Sequence, residues 1–154
     1  MKNFRKVFYL VLLAMAVSVF AAAGQVCADD FNYISITEFK ARMDAGDHES
    51  GAMDIVTTQT EAEYATGHLK AAYPTYARPL RSQSDFEKLH PFMDKVKDSD
   101  SDIVIICPRG RGGAEIPYRY FMEHGIAEDR LLILKDGQEA FNAAYPEDIS
   151  YGNR

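Results

Sequence analysis

The chain is poor in cysteine, with only Cys27 and Cys107 among its 154 residues. Cys27 lies in an amino-terminal segment with the features of an export signal, so the mature protein would keep Cys107 alone. A lone cysteine cannot form an internal disulfide, even in a compartment that permits one. This scarcity excludes a disulfide-stapled fold. It leaves Cys107 as either a buried apolar thiol or a reactive group.

Basic residues are outnumbered as well, since 17 Lys and Arg stand against 23 Asp and Glu, for a net charge of −6. General nucleic-acid binding needs a basic face, so the sequence predicts no nucleic-acid partner. The four histidines are dispersed and form no ligand cluster with the thiol, so we predict no metal site and no cofactor. No histidine is placed as a general base, which leaves Cys-His hydrolase chemistry with little support.

The first 28 residues are predicted to be a signal peptide. Three basic residues precede an apolar run at 7–23, and small residues at 26–28 suit cleavage after Ala28. Removal would leave residues 29–154, with 14 basic against 23 acidic residues and a net charge of about −9. That length suffices for one domain and is too short for two. We therefore expect an exported, periplasmic protein that meets the membrane only through its transient signal; an uncleaved anchor is the alternative.

The rest of the chain alternates strand-like and helix-like segments. Apolar runs predict strands or extended segments at 31–34, 52–56, 69–76, 103–106 and 130–134. Capping residues and helical spacing predict helices after Ser35, Thr60 and Ser84, the last interrupted at Pro91, and further helices at 114–125 and 138–144. Residues 146–154 are expected to be a polar tail. This alternation indicates an α/β domain with a largely parallel sheet.

One stretch carries the chemistry. Ile103 to Ile106 are four consecutive β-branched residues, typical of a strand buried on both faces of a parallel sheet. The strand ends at Cys107 and passes into a Gly/Arg-rich loop, after which a helix is predicted. Ligands of such sheets bind at the carboxyl ends of the strands, where Cys107 falls.

The loop offers three ways of stabilising an anion beside the thiol. Gly110, Gly112 and Gly113 allow several backbone N–H groups to converge on one point. The following helix directs the positive end of its dipole there. Arg109 and Arg111 add positive charge and paired donors for an oxyanion, unless they are simply solvated surface charges.

Three stretches together resemble the rhodanese-like sulfurtransferases of the small, exported, single-domain type. Glu63–Ala72 is similar to the family pattern E-Y-x-x-G-H-I-x-G-A, Cys107–Gly112 to its cysteine loop, and Asp136–Pro146 to its ending G-G-x-x-A-W-x-x-A-G-Y-P. The resemblance implies an α/β fold with a five-stranded, mostly parallel sheet flanked by helices on both faces. It would make residues 29–154 a single rhodanese-like domain.

The resemblance also implies a reaction. Cys107 would accept a sulfane sulfur from a thiosulfate-like donor as a persulfide and pass it to a thiol or cyanide, with a redox or sulfur-relay protein as a candidate partner. The substrate-binding residues would be Pro108, Arg109, Gly110, Arg111, Gly112 and Gly113. Glu63 and His68 would be structural members of the first motif.

Several residues depart from the family pattern. Thr57-Thr58-Gln59 stands where the family often has D-V-R, Pro108 removes one loop N–H, and Gly112 and Gly113 stand where an Arg, Thr or Ser is common. The missing D-V-R residues favour the alternative of a weakly active or non-catalytic sulfur-carrying or anion-binding module. A Cdc25-like phosphatase or arsenate reductase is disfavoured, because its Cys-x5-Arg loop would need an arginine at position 113.

Overall fold

The computed structural model of the chain describes residues 31–152. The predicted signal peptide and the cleavage site after Ala28 lie outside these residues and stay predictions. None of the helices in the described part has the length and apolar character needed to span a bilayer.

Seven strands and seven α-helices make up this part of the chain. The strands are β1 (Tyr33–Ile34), β2 (Met53–Thr57), β3 (His68–Leu69), β4 (Tyr73–Pro74), β5 (Asp102–Ile106), β6 (Leu131–Leu134) and β7 (Ile149–Ser150). The helices are α1 (Ile36–Asp44), α2 (Asp47–Ser50), α3 (Glu61–Thr66), α4 (Gln83–Glu87), α5 (His90–Val96), α6 (Gly112–Glu123) and α7 (Gly137–Ala144). Two 3₁₀ turns, Glu128–Arg130 and Pro146–Asp148, complete the set.

Five of the strands form one sheet in the order β1-β6-β5-β2-β4, and every pair in it is parallel. The predicted parallel α/β fold is therefore confirmed. β5 lies at the centre, with Ile106 opposite Thr57 of β2 and Ile105 opposite Ile133 of β6. The residue after Ile106 is consequently held at the middle of the carboxyl edge.

The β-branched run of β5 is buried on both faces. Ile103 and Ile105 join one apolar cluster with residues of α5 and α6, such as Phe92 and Phe121. Val104 and Ile106 join a second cluster with Phe39 of α1 and Phe141 of α7. Helices thus cover both faces of the sheet, as the apolar run predicts for a central parallel strand.

The predicted helix starts are confirmed at two of three places. Ser35 and Thr60 cap α1 and α3, and Thr60 forms a full capping box with Glu63. The start expected after Ser84 is wrong, because Ser82 accepts from the N–H of Asp85 and the Asp85 carboxylate accepts from the N–H of Ser82. The break expected at Pro91 is confirmed, since α4 and α5 are separate helices.

The end of the chain is more than the polar tail predicted at 146–154. Ile149 and Ser150 form β7, which pairs antiparallel with His68 and Leu69 of β3. Ile149 is only 7% exposed and belongs to the apolar cluster that contains Phe141. Ile149 and Tyr151 alone are too few apolar residues to give a periodic signal in this polar stretch, so the sequence alone could not predict this strand.

Two backbone turns approach each other closely at the carboxyl edge of the sheet. Gly110, in the loop after β5, and Gly137, after β6, both have positive φ, at 60° and 70°. A Cβ on Gly110 would lie 2.5 Å from the nitrogen of Asp136 and 2.5 Å from the oxygen of Leu134. The N–H groups of Gln138 and Glu139 donate to the carbonyls of Cys107 and Pro108, each at 2.9 Å. The start of α7 therefore fixes the course of the cysteine loop.

This close approach predicts a large cost for Gly110→Ala. The added methyl would meet backbone on the β6 side and would hold an L-residue at φ 60°, so we expect the free energy of unfolding to fall by about 3 kcal/mol in urea titrations. Gly51→Ala is the matched control, because Gly51 has φ 81° with nothing within 4 Å of the new methyl; it should lose about 1 kcal/mol. Equal losses in the two variants would contradict the close contact between Gly110 and the backbone that follows β6.

The last strand predicts a second stability effect. Ile149→Ala removes apolar contacts that are almost fully buried, so the free energy of unfolding should fall by about 2 kcal/mol. Tyr151→Ala, two residues on and 71% exposed, should change it by less than about 0.5 kcal/mol. If Ile149→Ala is as mild as Tyr151→Ala, this segment contributes no core packing.

Candidate active site

The thiol of Cys107 lies at the bottom of a cleft at the centre of the carboxyl edge. Cys107 is a free cysteine, only 3% exposed, and it follows directly on the last residue of β5. Its Sγ donates to the carbonyl oxygen of Arg111 at 3.7 Å. Backbone from two elements thus holds the residue, since its own carbonyl is bonded to α7.

Gly113 allows helix α6 to start directly beside the thiol. A Cβ at this position would lie 3.2 Å from the Cβ of Cys107 and 3.4 Å from its Sγ, tighter than ordinary packing. Gly112 and Gly113 are the first two residues of α6, so their N–H groups have no intrahelical acceptor. The helix predicted to begin near residue 114 therefore starts two residues earlier and brings its positive end closer to the sulfur.

Neutral groups hold the end of β2 and the residues that follow it. Thr57, Thr58 and Gln59 are all buried. The Thr58 N–H donates to the Ile106 carbonyl at 2.9 Å, and its hydroxyl donates to the Gly113 carbonyl at 3.0 Å. The Gln59 amide donates to the Gly67 carbonyl at 2.9 Å. Hydrogen bonds between uncharged groups thus join this segment to both ends of the cysteine loop.

Arg78 is the residue of the cleft that sequence reasoning missed. It lies between β4 and α4, and its side chain lines the cleft beside Cys107. Its Nη1 donates to Glu63 Oε1 at 2.6 Å. The other carboxylate oxygen of Glu63 accepts from the N–H of Thr60 at 2.8 Å. No local sequence pattern around Arg78 predicts this placement, because it depends on the path of the irregular chain between β4 and α4.

The cleft has a volume of about 210 Å³. Its lining residues are Arg78, Cys107, Pro108, Arg109, Arg111, Gly112 and Gly113. Six of the seven were predicted from the sequence. The prediction of Gly110 as a substrate-binding residue is wrong, because it is buried against Gly137 and does not line the cleft. The lining contains three arginines and no acidic residue. Arg109 and Arg111 are exposed and form no ion pair with another residue between 31 and 152, so the cleft is suited to an anion.

The motif residues Glu63 and His68 have structural contacts. His68 is 3% exposed, its ring stacks on Tyr64 with centroids 3.5 Å apart, and its Nδ1 lies 2.8 Å from the Tyr64 carbonyl oxygen. Within residues 31–152, no three His, Cys, Asp or Glu side chains meet in a group that could hold a metal ion.

Comparison with known proteins identifies the family of this chain. Residues 35–144 match the family model of the Rhodanese-like domain. No curated protein sequence matches the chain.

Several solved structures have the same fold as this chain. A thiosulfate sulfurtransferase from Pseudomonas aeruginosa has 15% identity and a TM-score of 0.59, over 80% of this chain and 21% of that one. An As-Sb reductase from Leishmania major has 15% identity and a TM-score of 0.61, over 77% of this chain and 81% of that one. Reduced Bacillus anthracis CoADR-RHD has 20% identity and a TM-score of 0.56, over 79% of this chain and 18% of that one. At these identities the likeness establishes the fold, and the family model establishes that this chain belongs to the rhodanese-like domain family.

Proposed function

We propose that the chain is a sulfurtransferase that carries a sulfane sulfur as a persulfide on Cys107. The observation that carries this proposal is the position of the free thiol in a small cleft lined by three arginines, beside the start of α6. Such surroundings favour an anionic sulfur and an anionic donor together. The name of the Pseudomonas aeruginosa protein, a thiosulfate sulfurtransferase, agrees with this chemistry.

The reaction would proceed in two displacements. The Cys107 thiolate attacks the outer sulfur of thiosulfate; a new S–S bond forms to Cys107, the S–S bond of thiosulfate breaks, and sulfite leaves with the electron pair. The persulfide then gives its outer sulfur to cyanide or a thiolate, and the electron pair of the broken bond returns to Cys107. No external oxidant is consumed, because the sulfane sulfur enters and leaves at the same oxidation level.

The chain's own groups would hold these charges. The unpaired N–H groups of Gly112 and Gly113 and the dipole of α6 favour a negative sulfur on Cys107. Arg109 and Arg111, which line the cleft, supply positive charge that attracts the anionic donor. Pro108 has no N–H to offer, and its carbonyl is occupied by Glu139, so its part is to shape the cleft wall.

The phosphatase and reductase alternatives rest on a different loop. The position six residues after Cys107 is Gly113, which lies against the thiol as the second residue of α6. The loop therefore provides no arginine at the point where a Cys-x5-Arg loop closes around a tetrahedral oxyanion. Sulfur transfer needs no such enclosure, because the group transferred to Cys107 is a single sulfur atom and not a tetrahedral phosphoryl group.

The predicted signal peptide supports a place of action outside the cytoplasm. We propose that the protein acts in the periplasm after export. There it would exchange sulfur with small anionic donors and with thiols, including those of a redox or sulfur-relay protein.

Mass spectrometry of Cys107 tests the proposed function. The full-length chain with the single substitution Cys27→Ser, incubated with thiosulfate and then freed of small molecules, should gain the mass of one sulfur atom on the peptide that contains Cys107. Added cyanide should then release thiocyanate and return the original mass. Cys107→Ala should show neither change, because it lacks the nucleophile.

Two results would contradict this proposal. One is the absence of an adduct with every sulfane donor tried, which would leave an anion-binding module. The other is hydrolysis of an aryl phosphate that depends on Cys107, which would indicate phosphatase chemistry.

A further inference from the structure

We propose that Arg78 is the specificity-determining residue of the Cys107 cleft, that it binds the oxyanion end of the sulfur donor, and that Glu63 positions it. The inference rests on the proposed function and narrows its substrate class to donors that carry a sulfonate-type oxyanion. The loop arginines Arg109 and Arg111 contribute charge, whereas Arg78 contributes a fixed geometry.

The backbone at Arg78 is held in place. Its N–H donates to the Thr58 carbonyl at 3.3 Å, and the hydroxyl of Thr58 in turn donates to the Gly113 carbonyl. The flanking residues Ala77 and Leu80 are 0% and 4% exposed and belong to the core. The side chain therefore leaves a fixed point of the main chain and runs into the cleft.

The side chain passes over the start of α6. The Cδ of Arg78 is 4.0 Å from the place where a Cβ of Gly113 would stand, and that same place is 3.4 Å from Cys107 Sγ. The absence of a side chain at Gly113 thus leaves a direct path between the thiol and the aliphatic part of Arg78. Because Arg78 and Cys107 line the same cleft, an anion bound at the sulfur lies beside the Arg78 side chain.

Glu63 fixes one edge of that guanidinium. Its Oε1 accepts from Arg78 Nη1 at 2.6 Å, while its Oε2 is held by the N–H and hydroxyl of Thr60 at 2.8 and 3.1 Å. Both carboxylate oxygens are thus occupied by defined partners. Within residues 31–152, Nε and Nη2 of Arg78 donate to no acceptor, so they remain for a ligand.

This arrangement distinguishes Arg78 from the other two arginines. Its side chain is 26% exposed and tethered by an ion pair, whereas Arg109 and Arg111 are exposed on the loop. A tethered guanidinium loses less conformational entropy when it binds, and its planar donors match two oxygens of one anion. Polysulfide is also an anion and is attracted by the charge, but it has no pair of oxygens to accept the planar donors, so it gains less from Arg78 than thiosulfate does.

The experiment compares two sulfur donors on the full-length chain in the Cys27→Ser background. The rate of persulfide formation at Cys107 is measured against the concentration of thiosulfate and, separately, of sodium polysulfide. The variants are Arg78→Gln, Arg78→Lys and Glu63→Gln. Arg81→Gln is the matched control, an exposed arginine three residues on that lies outside the cleft.

Arg78→Gln should raise the half-saturating thiosulfate concentration about tenfold, the value of one charge-assisted hydrogen bond, and raise that for polysulfide by a clearly smaller factor, because only the general attraction of charge is lost there. Arg78→Lys should recover part of this loss, since it keeps the charge without the planar fork. Glu63→Gln should raise the same concentration by a smaller factor, and Arg81→Gln should match wild type.

Two results would overturn the inference while the proposed function stands: a thiosulfate dependence unchanged in Arg78→Gln, or equal losses with both donors, which would indicate a structural role. Wild-type protein that forms no persulfide with either donor would overturn the proposed function and this inference with it.

Discussion

The site depends on the contact between two backbone turns at the carboxyl edge of the sheet. Gly110 and Gly137 meet without intervening side chains, and the first N–H groups of α7 bind the carbonyls of Cys107 and Pro108. Those N–H groups belong to a helix start and would otherwise lack acceptors, so one contact completes α7 and directs two loop carbonyls toward it. With these carbonyls bonded to α7, the cleft is lined by the thiol, the arginines and the start of α6.

Neutral hydrogen bonds and an ion pair stabilise different parts of the site around this contact. Buried hydroxyl and amide groups of Thr58 and Gln59 join the segment after β2 to the cysteine loop and to Gly67, where burial of a charge would carry a desolvation penalty. The ion pair between Arg78 and Glu63 lies nearer the solvent. Its cost of desolvation is lower there, and the Arg78 side chain lines the cleft.

Much of this arrangement could be predicted, because its signals are local. The β-branched run of β5 indicated a central buried strand, and the change from apolar residues to Cys107 and its loop indicated the site. The sequence also predicted the capping box at Thr60. Ser82 escaped prediction because two nearby serines offer the same cap and only the actual bonds distinguish them. The strand at Ile149 escaped because its partner is 80 residues away in β3.

Arg78 illustrates why the rest of the cleft could not be predicted. The residues it contacts, Glu63 and Thr58, lie 15 and 20 positions earlier, on the far side of two short strands. Its direction is set by the buried neighbours Ala77 and Leu80, which occur in a segment with no regular period. In a parallel sheet, connections from several strands converge on one edge, so a charge absent from the segment after β2 can be supplied by the segment after β4. The functional groups of such a site are thus defined by position in space, and a missing motif residue does not by itself imply a missing charge.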